Sequence, residues 1–230
     1  MRRLLVVLLV LVALLVGADR IAEQVAEGRI AEQLTADLSS TPTVEIGGFP
    51  FLTQALAGRY QRITVSGDTA SRQGVRVTDF SADLEGVRVP LSDALGGRVS
   101  QVPVDRLRGR ALITYADFAA AAAAGVPGLQ LAPAGDQVRA TAPLSVLGQD
   151  LTVSALSDAT LEGNQILLTA QSFQVGGSPV SGLISGALSG RLDLRVDVDA
   201  LPYDLQLTDV QTGERGIELS GTARDAVLSR

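Results

Sequence analysis

The 230-residue chain has no histidine, no cysteine, no tryptophan and no lysine. Without histidine it lacks the commonest general base, the usual transition-metal ligand and the centre of the His-dependent triads. Without cysteine it has no thiolate nucleophile, no Cys/His zinc site and no disulfide framework, so its stability must come from apolar burial and backbone pairing. There is no GxGxxG, no GxSxG and no phosphate-cradling loop ending in Gly-Lys. These absences remove most enzyme classes: the chain is expected not to be an enzyme, with no catalytic residue, no metal ligand and no cofactor.

Two further shortages narrow the reading. Aromatic residues make up only 3% of the chain, five Phe and three Tyr, so the core must be built from Val, Leu, Ile and Ala. A carboxylate glycosidase needs no histidine, but sugar clefts stack rings on aromatic side chains that this chain hardly has. The densest acidic group, Asp193, Asp197 and Asp199, alternates with apolar residues beside Arg191 and Arg195, which places it on the wet face of a strand. It lacks the loop spacing of a calcium motif. The formal net charge is −6 and no basic cluster is long enough to follow a phosphate backbone, so nucleic-acid binding is not expected.

What the chain does have begins at its first residues. Arg2 and Arg3 precede an unbroken apolar run over residues 4–16 that closes on Gly17-Ala18, the layout of a secretory signal. A bilayer-spanning helix needs about 20 apolar residues, so cleavage after Ala18 is the first reading. The alternative is an uncleaved membrane anchor through residues 4–18 that continues into the next helix. Either way the remainder is expected to be exported, periplasmic or associated with the cell envelope, with residues 19–230 as a single domain.

Residues 19–40 read as an amphipathic helix, with Ala22, Ala26, Ile30, Leu34 and Leu38 at four-residue spacing and Glu23, Glu27, Arg29 and Glu32 between them. Pro42 stops it. Its apolar stripe is expected to close the domain's own core, since a helix lying on a membrane would carry a basic polar face. From residue 43 to 230 the texture changes to short Val/Leu/Ile/Thr runs between glycine-bearing turns at Ser66-Gly67-Asp68, Gln73-Gly74, Glu85-Gly86, Gly135-Asp136, Glu162-Gly163-Asn164, Gly176-Gly177 and residues 213–216. That predicts nine or ten strands, the clearest over residues 191–199. Two short helices are expected among them. One starts at Tyr115 behind a Thr114/Asp117 capping box, and the other starts at Ser178-Pro179 and carries Val180, Leu183, Ile184, Ala187 and Leu188.

The segment over residues 44–60 gathers Phe49, Phe51 and Tyr60 beside Pro50, Leu52 and Leu56. Aromatic residues concentrated in so poor a chain form a packing nucleus, or they line or gate an apolar cavity with Arg59 and Arg62 placed to meet an anionic headgroup. The stretch Gly48-Phe-Pro-Phe-Leu-Thr-Gln-Ala-Leu-Ala-Gly-Arg-Tyr60, with Asp19-Arg20 before it and Leu84-Glu-Gly-Val-Arg-Val-Pro-Leu91 after it, resembles the LmeA-like family of actinobacterial cell-envelope phospholipid-binding proteins.

That resemblance implies a β-rich α+β fold of the tubular lipid-binding, BPI-like type, in which a curved antiparallel sheet wraps around a long N-terminal helix and leaves an apolar channel. It also implies binding of phospholipids, including inositol phospholipids, at the membrane surface of the cell envelope, and a part in lipomannan and lipoarabinomannan elongation. Phe49, Pro50, Phe51 and Leu52 carry the family motif by position. The competing expectation is a non-catalytic scaffold or accessory subunit that docks an envelope glycosyltransferase, with a filled core and an exposed apolar patch in place of a channel.

Overall fold

The computed structural model describes residues 2–35, 40–72, 75–96, 99–122, 125–146, 149–180, 193–197 and 205–229. In chain order the elements are α1 (Arg2–Thr35), β1 (Thr43–Gly47), α2 (Phe51–Ala57), β2 (Arg59–Arg72), β3 (Val75–Arg88), α3 (Leu91–Gly96), β4 (Gln101–Thr114), α4 (Tyr115–Ala122), β5 (Gln130–Ala134), β6 (Gln137–Val146), β7 (Gln149–Glu162), β8 (Gln165–Val175), β9 (Ser178–Val180), β10 (Leu194–Asp197), β11 (Gln206–Thr212) and β12 (Gly216–Ser229). The class is the expected one: β-rich α+β, with a long N-terminal helix and two antiparallel sheets. One sheet has the order β1-β2-β3-β4-β12-β11, and the other β10-β8-β7-β6-β5 with β9 also paired to β8.

The chain forms two compact units. The first takes Met1–Asp68, Ser81–Arg108 and Ala223–Arg230, and the second Thr69–Phe80 and Gly109–Thr222. In the second unit buried side chains pair across neighbouring strands. Ala140 pairs with Ala155 and Ala142 with Val153, while Ile166 pairs with Val196 and Leu168 with Leu194, and all eight side chains are buried. Small alanines on β6 and β7 leave room above the sheet for α4, whose Phe118 is fully buried in the same cluster. The expected capping box sets where α4 starts: the Thr114 hydroxyl accepts from Asp117 N–H at 3.1 Å and donates to the Asp117 carboxylate at 2.6 Å.

Three sequence-based expectations need correction here. The Ser178-Pro179 pair does not begin a helix. Gly176 and Gly177, with φ of 58° and 83°, turn the chain back so that Ser178–Val180 pairs with Val175, Gln174 and Phe173 of β8. The positions assigned to that helix beyond Val180 lie outside the described residues, as do Leu192 and Val198 of the long strand, of which Leu194–Asp197 is seen. Second, Ser66-Gly67-Asp68 is no turn, because β2 runs straight through it. Third, Glu85-Gly86 also lies inside a strand, β3, where Gly86 takes a φ of 67° and leaves space that the Asp105 carboxylate of β4 fills. A Cβ on Gly86 would collide with the Asp105 carboxylate.

Candidate functional site

The motif segment lies wholly in the first unit, and helix α2 divides it into two faces. Phe51, Gln54 and Ala55 are buried. Phe51 packs against Tyr60 at the start of β2, ring centroids 6.2 Å apart, and burial pushes the Tyr60 hydroxyl pKa up. Gln54 secures the neighbouring strands: its amide oxygen accepts from Gln61 N–H at 2.9 Å and its amide nitrogen donates to the Gly47 carbonyl at 3.4 Å. On the other face Phe49 is 53% exposed, Leu52 38% and Leu56 74%, and Pro50 is exposed as well. Of the two sequence-based readings, packing nucleus fits Phe51 and Tyr60. Phe49, Leu52 and Leu56 are instead presented outward.

Seven residues are too few to hold a helix in water on their own, so α2 depends on what surrounds it. At its C-terminus Gly58 adopts the left-handed conformation, φ 64°, and its N–H returns to the Ala55 carbonyl at 3.1 Å. At its N-terminus Pro50 offers no side-chain cap. The cap comes from α1: Asp19, itself 2% exposed, accepts from Phe51 N–H at 2.9 Å and Leu52 N–H at 2.7 Å. A carboxylate there satisfies two otherwise orphaned donors and faces the positive end of the helix.

Asp19 is the first of three acids at four-residue spacing on one face of α1. Glu23, also buried, takes Arg20 at 2.6 Å, and Glu27 accepts from Ile46 N–H of β1 at 2.7 Å. The face of α1 that meets α2 and β1 is therefore led by carboxylates, in place of the apolar stripe expected to close the core. Ala22, Ala26, Ile30 and Leu34 are only half-buried, Ile21 and Val25 are exposed, and Leu38 lies outside the described residues. The physical reason is that backbone amides of α2 and β1 meet this face, and alanine side chains give them neither an acceptor nor much apolar surface.

The two candidate cations separate. Arg59, exposed and without an ion pair among the described residues, lines an open depression of about 310 Å³ with Leu56, Ala57, Gly58, Arg88, Pro90 and Leu91. Arg88 also pairs with Asp105. Arg62 instead joins a network on the polar face of the strands, 3.9 Å from Glu85, which takes Arg106 at 3.0 Å and Arg108 at 3.1 Å. Two residues given no site role from sequence join the surface: the Arg20 guanidinium lies 5.3 Å from the centre of the Phe49 ring, and Leu95 of α3 is 71% exposed. Beside the Asp19-Arg20 pair of the resemblance, the recurrence of acids at 19, 23 and 27 was the sign of the Asp19 cap.

No curated protein and no solved structure matches the chain. A family model does: that of LmeA-like phospholipid-binding proteins matches residues 17–222 of 230, from just before the Asp19 cap through the motif segment and both sheets, and the chain belongs to that family.

Proposed function

We propose that the protein is an exported, non-catalytic phospholipid-binding protein of the cell envelope, able to carry or present lipid. Export is supported by the apolar run after Arg2 and Arg3, and the lack of catalysis by the missing histidine and cysteine. The observation that carries the lipid reading in this member of the family is the outward face of the motif segment. Phe49, Leu52 and Leu56 stand exposed while Phe51 and Tyr60 are packed away. Each acyl methylene covered by such a surface gains about 0.8 kcal/mol. Arg59, beside Leu56, supplies a planar cation suited to a phosphodiester. The family resemblance extends the reading to inositol phospholipids and to support of lipomannan and lipoarabinomannan elongation.

One experiment tests it. Delipidated full-length protein is mixed with vesicles of phosphatidylinositol or of phosphatidylethanolamine, re-isolated and weighed by native mass spectrometry. Protein carrying one phospholipid, with phosphatidylinositol retained in preference, is the expected result. Protein without lipid from either vesicle contradicts it. The filled core around Phe118 in the second unit favours a second reading, an accessory subunit for an envelope glycosyltransferase. That reading expects no lipid uptake and co-isolation with the transferase.

A further inference from the structure

The exposed apolar residues of the first unit have a common position relative to α1. The helix is long and apolar enough to cross a membrane, with a window of mean hydropathy 2.5, and its side chains at Leu5 to Leu15 are exposed. This run ends at Ala18, and the very next residue, Asp19, grips the first two amides of α2. A seven-residue helix is roughly 10 Å long, so Leu52 and Leu56 lie within about that distance of the point where the apolar run stops. Arg20, one residue further along α1, lies over the Phe49 ring. Helix α3, packed beside α2, adds Leu95.

We propose that Phe49, Leu52, Leu56 and Leu95 form a bilayer-docking surface: with the apolar run of α1 in the hydrocarbon, they sit at the headgroup–acyl boundary of the same leaflet, and Arg20 and Arg59 meet lipid phosphates. The occupant is a lipid surface because the patch is continuous in chain and in space with α1, whose exposed apolar run, retained as the uncleaved anchor that the sequence allows, would lie in the hydrocarbon. Interfacial segments combine Phe and Leu on the buried side with Arg at the rim and enter only about 5–10 Å. The patch and its two arginines have that composition and that reach. The inference deepens the proposed function by naming the surface that meets the membrane. Its test compares bromine placed near the glycerol end of the acyl chain with bromine near its middle: shallow docking is read by the former alone, whereas a captured chain lying along the face is read by both, so the two fail separately.

Tryptophan is missing from the chain, so one introduced tryptophan reports alone. Full-length Leu56→Trp and Leu95→Trp proteins are reconstituted in phosphatidylcholine vesicles containing phosphatidylglycerol, with acyl chains brominated near the glycerol end, near the middle or not at all. The control is Asp68→Trp, an exposed position nine residues along β2 from Arg59 and thus roughly 30 Å away. The expected result is blue-shifted emission and a roughly twofold or greater loss to bromine near the glycerol end at 56 and 95, with little loss to mid-chain bromine there and little to either at 68. Emission at 56 and 95 that bromine leaves unchanged overturns the proposal, whether the residues are wet or are covered by a second protein copy. Equal quenching at all three positions also overturns it, because it shows adsorption without a docking face. So does equal loss at 56 and 95 to both placements of bromine, which shows a captured chain along the face.

Discussion

The Asp19 carboxylate meets the backbone N–H of Leu52 at 2.7 Å, across 33 positions of sequence, while its other oxygen takes Phe51 N–H at 2.9 Å. One side chain thus joins the helix that carries the apolar run to the helix that presents the motif. Losing a helix N-cap typically costs about 0.5–2 kcal/mol, and this one is buried. Asp19→Ala is expected to lower stability by about 2 kcal/mol, read from the urea midpoint at unchanged m-value. Asp19→Asn keeps one acceptor oxygen and should fall between. An Asp19→Ala midpoint equal to wild type would show that α2 is held by its apolar contacts alone.

Ser157 lies at the register shift of β7 against β8, fully buried, and its hydroxyl has no hydrogen-bond partner among the described residues. A buried unsatisfied hydroxyl costs about 1–3 kcal/mol. Ser157→Ala removes the group and keeps the backbone, so it should stabilise the protein by roughly 1 kcal/mol, visible as a raised thermal midpoint. A loss of stability would mean that the hydroxyl is satisfied in solution.

How much of this was legible depended on sequence distance. The α4 cap could be read because Thr114 and Asp117 are three residues apart, and the hairpins at Gly135, Gly163 and Gly176 because positive φ leaves a local glycine mark. Gly67 misled for the same reason: it is extended within β2, where glycine is merely tolerated. The role of Asp19 could not be read, since its partners lie 32 and 33 positions away and its spacing to Glu23 and Glu27 looked like an ordinary wet face. Nor could α2, whose seven residues are helical only through contacts at both ends. Within the motif, composition marked the right segment but could not separate Phe51, which is buried, from Phe49, which is not.

Tyr115 ties the start of α4 to the β11–β12 turn, donating to the Gly213 carbonyl at 2.7 Å, and burial raises its hydroxyl pKa. The folded state therefore holds its proton more tightly than the unfolded chain does. The stabilisation is complete below the ordinary tyrosine pKa near 10 and is lost as pH rises through the higher folded value. Tyr115→Phe keeps the ring and loses one hydrogen bond, so it should cost about 1 kcal/mol at neutral pH. The difference from wild type should shrink above pH ~10, where the wild-type phenol ionises. A constant difference across that range, measured by urea titration at several pH values, would assign the loss to packing.

Uptake of phospholipid by the outward face of α2 is read from the affinity of full-length protein for acyl-labelled phosphatidylinositol. Wild type is to be compared with Leu56→Asp, a change at a 74% exposed position that leaves Phe51 and Tyr60 packed. Saturable binding by wild type and about a tenfold weaker Kd for Leu56→Asp, near 1.4 kcal/mol, at unchanged circular dichroism, are the expected results. Equal affinity in the two proteins, or no saturable binding in either, would contradict uptake by that face.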